Sequence, residues 1–295
     1  MNEPVSIAGD LVLDAHAEIG ECPVWDDETA TLVWVDQPRG VVHRFDPVTG
    51  IDEQLVVGQP VGAVALRKSG GLVLALRDGF GLVDADGGEM RLVCETELER
   101  TDTRMNDGKC DSAGRFWAGT MALDYTPGAG TLYRLDPDLT ATAIVHDVTC
   151  SNGLAWSPDD RTMYFVDSFA SGVDAFDFDP ADGSVENRRR LVEIDPSEGQ
   201  PDGMTIDRDG FLWVALWGGS CVRRYAPDDT LDACVRVPVA QVTSCAFGGP
   251  GLDDLYITSA GDGLTSDGWS VQPQAGGLFR ASPGVGGAAT RRFAG

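Results

Sequence analysis

The sequence predicts an all-β protein folded as a six-bladed β-propeller with four-stranded antiparallel blades. Three observations support this prediction: long helical patterns are scarce, short apolar runs alternate with turns rich in Asp, Gly and Pro, and one unit recurs along the whole chain. The unit consists of an apolar strand, a turn and a second apolar strand. Its six copies occupy residues 23–36, 63–76, 109–119, 154–167, 204–216 and 245–258.

The second strand of each unit carries an anchor residue, in chain order Trp34, Val73, Trp117, Tyr164, Trp213 and Tyr256. Successive anchors are 39, 44, 47, 49 and 43 residues apart, a period typical of propeller blades. No independent linker is visible, so we expect residues 1–295 to form a single domain. Two β-sandwiches with a common turn style are the alternative, but a fixed long period is hard to obtain from them.

Each blade needs a second pair of strands, and the segments between the anchors supply it. They place an aromatic residue or Leu two residues before a proline, in Val42–Gly50, Leu132–Pro137, Val173–Pro180 and Val222–Pro227. For closure of the ring, we expect Leu11–Leu13 to complete the last blade. The C-terminal strands of that blade are expected around Gly277–Arg280 and Thr290–Phe293.

The composition is strongly acidic, with a net charge of −25 and 42% hydrophobic residues. Nucleic acids and anionic membranes are therefore unfavourable partners, because both attract cationic proteins. The hydrophobic fraction is sufficient for a sizeable core and argues against disorder. Most of the Asp residues are expected in hairpin turns such as Ser157–Arg161 and Asp207–Gly210, where Asp bonds to its own backbone.

Targeting signals and cysteine usage favour a cytoplasmic protein. The first twenty residues lack a basic region followed by an apolar run, so no secretory signal is expected, and no apolar stretch is long enough to span a membrane. The seven cysteines are scattered without a C-x-x-C pair. They are expected to be reduced, buried thiols.

Polar residues stand just before four of the six units, at equivalent places that a propeller would bring together on its axis. They are Glu21, the Arg104–Asp107 group, Asn152 and Asp202. Oxygen ligands of this kind suit Ca²⁺, Mg²⁺ or Mn²⁺, so a metal site is predicted at the central channel. The alternative is that the Asn-Gly and Asp-Gly pairs are only turns. None of the three histidines lies at these places, and P-loop, H-E-x-x-H and G-x-S-x-G motifs are absent.

Four motifs in order resemble the senescence-marker-protein/gluconolactonase family, which includes regucalcin and bacterial sugar lactonases. They are Gly20–Trp25, Arg104–Lys109 with Trp117–Met121, Ser151–Leu154 and Pro201–Met204. The resemblance covers nearly the whole chain.

The resemblance implies a site of one divalent cation and a sugar lactone. By that resemblance Glu21, Asn152 and Asp202 bind the cation, with Ca²⁺ expected and Mn²⁺, Mg²⁺, Zn²⁺ or Fe²⁺ as alternatives. Arg104 and Asn106 contact the substrate, and Asp124 is expected to do so from the loop after the Gly-Thr-Met motif.

The predicted activity is hydrolysis of a sugar (aldono-)lactone to its aldonic acid. The metal polarises the lactone carbonyl and activates a water molecule, and Asp202 is the general base. Asp107 is expected to orient Asn106 or its loop rather than bind the metal. Another ester or phosphotriester hydrolase on the same site and a non-enzymatic calcium-binding propeller are the alternatives. The sequence leaves the sugar, the physiological metal and the oligomeric state open.

Overall fold

Residues 4–295 are described by a computed structural model, in which six β-sheets form a ring. The chain begins with two short strands, β1 (Val5–Ala8) and β2 (Asp10–Leu13), and then runs through the blades in order. The innermost strand of every blade contacts the innermost strands of its two neighbours, so that six strands surround one axis. The six-bladed propeller is confirmed.

Blades I to III are antiparallel sheets whose four strands follow one another outwards from the axis. Blade I contains β3 (Gly20–Asp26), β4 (Thr31–Asp36), β5 (Val41–Phe45) and β6 (Asp52–Val56). Blade II contains β7 (Val61–Leu66), β8 (Leu72–Leu76), β9 (Gly79–Val83) and β10 (Arg91–Glu95). Blade III contains β11 (Thr103–Cys110), β12 (Phe116–Ala122), β13 (Gly130–Leu135) and β14 (Ala141–Val148).

Blades IV to VI repeat this order, with additions in the last two. Blade IV contains β15 (Ser151–Trp156), β16 (Thr162–Asp167), β17 (Gly172–Asp179) and β18 (Ser184–Glu193). Blade V contains β19 (Gln200–Ile206), β20 (Leu212–Trp217), β21 (Cys221–Tyr225) and β22 (Leu231–Arg236). Blade VI contains β23 (Val242–Gly248), β24 (Asp254–Ser259) and β25 (Leu278–Ala281), with helix α1 (Ser266–Val271) between the last two. Short 3-10 turns occupy Ser168–Ala170 and Pro196–Glu198.

The hydrophobic core lies between neighbouring blades. All six anchor residues lie on the second strand of their blade and are buried. Between blades III and IV, for example, the ring of Trp117 meets those of Trp156 and Phe178 edge-on, with centroids 6.0 and 6.1 Å apart. Aromatic rings favour this arrangement because the positive edge of one ring faces the negative face of another. The regular spacing of the anchor residues in the sequence therefore results from the packing of each blade against the next.

The N-terminal strands close the ring. β2 pairs with β25 and becomes the fourth strand of blade VI, which confirms the closure predicted for Leu11–Leu13. β1 adds to the outer edge of blade V, in parallel with β22. The prediction for Thr290–Phe293 was wrong, because this segment does not pair within blade VI. It crosses to blade II instead, where Phe293 bridges to Arg67.

The C-terminal segment 286–294 runs across the end of the channel remote from the polar residues. Its backbone and side chains hydrogen-bond to every blade, through Trp25, Leu66, Gly114, Asp160, Arg208 and Leu252. Phe293 is fully buried among the side chains of blades I to III. The segment therefore covers this end of the axis and ties the six blades together.

Two hairpin Asp residues do more than form turns. Asp207 accepts the expected turn hydrogen bonds, but it is fully buried and also accepts from Trp213 Nε1 at 3.0 Å and Arg224 Nε at 2.8 Å. Asp111 repeats this arrangement with Trp117 Nε1 at 2.9 Å and Arg115 Nε at 2.6 Å. These acids thus join their hairpin to a buried anchor residue, so the prediction that Asp207 bonds only within its own hairpin turn was incomplete.

All seven cysteines are free thiols, and six of them are buried. Among residues 4–295, no helix is long and apolar enough to cross a membrane.

We expect Asp207→Asn to lower the free energy of unfolding by about 3 kcal/mol, because it leaves the buried guanidinium of Arg224 without its inner partner. The matched control is Asp209→Asn, an exposed acid 3.8 Å from the same guanidinium, which should change stability by less than about 0.5 kcal/mol. Urea unfolding of the two variants checks this. Equal losses of unfolding free energy in the two variants would show that the buried pair of Asp207 and Arg224 contributes no more than the exposed one.

Candidate metal centre

A bulge near the start of each innermost strand positions the polar residues. The pairing with the second strand shifts register after Glu21, Val61, Met105, Ser151, Pro201 and Val242, one place in each blade. A bulge places extra residues opposite the partner strand and re-aims their side chains. Apart from Asp124, the residues predicted for the site lie at these bulges or immediately beside them, and closure of the ring brings them together.

Asn152–Gly153 and Asp202–Gly203 lie inside strands, so the alternative interpretation of these pairs as turns is wrong. The glycines are needed because the innermost strands approach closely here. A Cβ on Gly153 would lie 2.7 Å from the backbone oxygen of Asp202, and one on Gly203 would collide with Ser244. Each glycine thereby lets its polar neighbour sit at the level where the strands converge.

Three buried carboxyl groups meet at this level. Glu21, Asp107 and Asp202 are 2, 2 and 6% exposed. Burial raises the pKa of Glu21 and Asp202 well above the usual range, and the charge of Asp107 raises both further. The side chains of Glu21 and Asp202 also lie next to each other. The cluster therefore gathers three acids, which Lys109 opposes at Asp107 and Arg104 opposes at Glu21.

Backbone amides hold two of these carboxylates. The N–H of Cys22, a residue with φ of 47°, donates to Glu21 Oε2 at 2.7 Å. The N–H of Gly108 donates to Asp107 Oδ1 at the same distance. The thiol of Cys22 turns away to the backbone oxygens of Val64 and Gly108, each at 3.4 Å. Cys22 thus orients Glu21 through its backbone, and its sulfur is engaged elsewhere.

Asn152 supplies an oxygen with no partner. Its Nδ2 donates to Ser168 Oγ at 3.0 Å, whereas its buried Oδ1 accepts no hydrogen bond within residues 4–295. The same side chain lies close enough to Asp202 to lower the pKa of that acid. A buried amide oxygen left unpaired beside two carboxylates fits a divalent cation, which would bind all three groups.

The side chains gathered here suit a metal ion that binds oxygen ligands. In the part of the chain that the structure describes, no three His, Cys, Asp or Glu side chains form a cluster able to hold a metal by themselves. Glu21, Asp202 and the Asn152 oxygen are two carboxylates and one amide, a set that leaves coordination positions open. Hard cations such as Ca²⁺ accept such oxygen ligands together with water or substrate.

Arg104 and Asn106 lie together beside the acids. Arg104 Nη1 donates to Asn106 Oδ1 at 2.8 Å, and Asn106 Nδ2 donates to the backbone oxygen of Ser151 at 2.8 Å. Burial lowers the pKa of Arg104, while Glu21 and Asp202 oppose this effect. The guanidinium thus lies beside the acidic cluster. Within residues 4–295 only its Nη1 is bonded, so its other N–H groups are available to a ligand.

Asp124 lies outside this cluster. It is exposed, and its Oδ1 accepts from Thr126 N at 2.9 Å and Thr126 Oγ1 at 2.7 Å within its own turn. Burial raises the pKa of the phenol of the neighbouring Tyr125, and the charge of Arg104 opposes this rise. Tyr125 has φ of 58°, and its ring packs 5.4 Å from that of Phe169.

Two neighbours of the site, Ser168 and Phe169, were not anticipated from the sequence. They belong to a 3-10 turn after β16, and Ser168 fixes the Asn152 amide. The two residues follow an Asp at the end of a strand, and no motif marks them.

Fold and site together define a six-bladed propeller with an acidic, oxygen-lined centre on its axis. The chain belongs to the SMP-30/Gluconolactonase/LRE-like family, whose sequence profile matches residues 19–261. Regucalcin from Xenopus laevis is 40% identical over 98% of this chain and 99% of its own length. This membership supports a function of lactonase type.

Solved structures agree with this assignment. A luciferin-regenerating enzyme superposes with a TM-score of 0.90 at 33% identity, covering 97% of this chain and 99% of that one. A calcium-binding protein, regucalcin, from Agrobacterium tumefaciens superposes with a TM-score of 0.95 at 28% identity, covering 99% of each chain. The similarity therefore extends over the whole ring.

In metal-free protein, we expect stability to fall as pH rises from about 4 towards neutrality, because carboxyl groups whose folded pKa is raised resist losing their protons. Glu21→Gln removes one such group and should flatten this slope, whereas the exposed control Glu89→Gln should leave it unchanged. Thermal unfolding across pH in the presence of a chelator measures both. Identical slopes in the three proteins would contradict the electrostatic description of the cluster.

Proposed function

We propose that this protein hydrolyses a sugar (aldono-)lactone to its aldonic acid with the help of one divalent cation. The observation that carries the proposal is the buried pair Glu21 and Asp202 beside the unpaired Asn152 oxygen, with the donors of Arg104 and Asn106 next to it. The family assignment supports the reaction class. A lactone would enter at the bulged end, because segment 286–294 covers the other.

Glu21, Asn152 and Asp202 are the proposed ligands of the cation. Ca²⁺ is the first choice, since a structurally similar regucalcin is described as calcium-binding. Mn²⁺, Mg²⁺, Zn²⁺ and Fe²⁺ are also compatible with oxygen ligands. When bound, such a cation supplies Lewis-acid polarisation of a carbonyl and makes a water molecule easier to deprotonate.

Asp202 is the proposed general base. Its carboxylate is buried at the site, where it is held next to the place at which a water molecule would attack the lactone. It would accept a proton as water attacks the lactone carbonyl carbon. That proton then passes to the ring oxygen when the ester C–O bond breaks, so that the product is a hydroxy acid and the base is restored.

Arg104 and Asn106 are the proposed substrate contacts. Their hydrogen bond holds the guanidinium plane in one orientation, which favours a defined pose of the polyol and places positive charge near the developing oxyanion. Asp124 is proposed as a contact at the rim. Thr126 bonds to its Oδ1, and Oδ2, which has no hydrogen bond within residues 4–295, would accept a substrate hydroxyl group.

Cation binding without catalysis is the second candidate, favoured by the same description of the similar regucalcin. The two functions differ in one result. A protein that binds Ca²⁺ through this centre and is inert towards a panel of lactones, aryl esters and phosphotriesters would be a binding protein. Faster turnover of phosphotriesters than of sugar lactones would instead identify another hydrolase.

For the lactonase, we expect chelation to abolish acid release from five- and six-carbon aldonolactones, and added metal to restore it. Asp202→Asn keeps an oxygen ligand but removes the base, so kcat should fall about 10² to 10⁴-fold with the cation still bound. Asp228→Asn, an exposed turn acid, is the matched control and should retain the parent rate. Titrimetric assays and calorimetric Ca²⁺ titrations of the same preparations measure both properties.

Lactonase activity that persists after complete metal removal, or in the Asp202→Asn variant, would contradict this mechanism. Loss of Ca²⁺ binding in Asp202→Asn would show that the carboxylate charge is needed for the cation, and Asp202 would then be a ligand without a demonstrated role as base.

A further inference from the structure

A cavity of about 300 Å³ lies on the axis behind the acidic cluster. All six innermost strands contribute to its wall, and the C-terminal residues 287–291 cover its far end. Cys22 and Gly108, which follow Glu21 and Asp107 in the chain, belong to the wall on the side of the cluster. The proposed lactonase mechanism makes no use of this space.

The cavity is lined by cations in a protein that is otherwise strongly acidic. Lys109 and Arg208 contribute to the wall, and neither has a carboxylate within 4 Å in the described part of the chain. Both donate to backbone oxygens instead: Lys109 Nζ to Met204 at 2.6 Å, and Arg208 to Gly251 and Gly286 at 3.2 and 3.3 Å. Neither forms an ion pair in that part of the chain, although Lys109 lies near enough to Asp107 to lower the pKa of that acid and Arg208 is exposed.

Two further residues of the wall have buried donors without acceptors. Trp156 is 3% exposed and its Nε1 has no partner within residues 4–295. Nη1 of Arg291 also has none, although Nη2 of the same guanidinium pairs with Asp160. The acid in the wall, Asp207, is already occupied by Arg224 and Trp213. A buried donor without an acceptor is costly, so these groups favour a ligand that brings acceptor atoms.

We propose that this cavity binds a small monocarboxylate with an apolar body. The carboxylate accepts from Lys109, Arg208, Arg291 and Trp156, and the apolar body packs against aromatic walls such as Phe247. Three cationic side chains in the wall against one acid, which Arg224 already engages, favour an anion and disfavour a metal ion. The volume matches the lower range of small-molecule sites, whose walls are mostly apolar with a few polar groups.

The probe is 3-phenylpropanoate, and 3-phenylpropan-1-ol is its uncharged counterpart. By calorimetry on the full-length protein, the acid should bind with a Kd of about 1 mM or tighter, and the alcohol about tenfold more weakly or worse. Chelator or excess Ca²⁺ should leave the affinity for the acid unchanged, because the site is separate from the metal centre. The experiment measures heat of binding and not lactone hydrolysis, so a negative result would not contradict the lactonase proposal.

Trp156→Phe and Arg208→Met should each weaken binding of the acid about fivefold, since each removes a donor. Trp156→Phe breaks no hydrogen bond, so the fold should persist, and thermal unfolding checks this. Arg91→Met, an exposed arginine of blade II, is the control and should bind as the parent does. Equal affinity for acid and alcohol, affinity that follows Ca²⁺, unaltered binding in both wall variants, or no binding of the acid would each overturn the proposal.

Discussion

Closure of the ring by the pairing of β2 with β25 is the constraint on which the rest of the structure depends. Glu21, Asn152 and Asp202 come from blades I, IV and V, and no local segment could bring them together. Once the ring is closed, the six innermost strands converge, and the bulge in each strand sets the level at which side chains meet. The chemistry of the centre is therefore a consequence of the number of blades and of one repeated irregularity within them.

Acidic and basic side chains are separated along the central channel. Buried acids occupy the bulged end, and Lys109, Arg208 and Arg291 line the cavity behind them. Burying the acids together costs free energy unless a counter-charge or a ligand compensates for it. The bulged end is therefore suited to a cation and the cavity wall to an anion, and the net charge of −25 is a poor guide to the potential inside the channel.

The blades and the centre could be predicted from sequence because repetition makes both visible. An anchor such as Trp213 recurs at a fixed period, and a polar residue before a unit, such as Asp202, departs from the pattern that the other units establish. The buried role of Asp207 could not be predicted, since an Asp in a solvated hairpin and one that accepts from Trp213 have the same local sequence. The positions of Tyr125 and Phe169 depend on how two loops pack, which no periodicity records.

The C-terminal segment also bears on how the molecule assembles and opens. Thr290 donates to the backbone of Trp25, a contact that spans 265 positions of the chain. Contacts this distant in sequence are slow to form, because the intervening chain must be ordered first. Once formed, they couple the blades mechanically, so that releasing a single blade requires detaching a segment held by the other five. Hydrogen exchange in the innermost strands should accordingly proceed through opening of the whole ring rather than blade by blade.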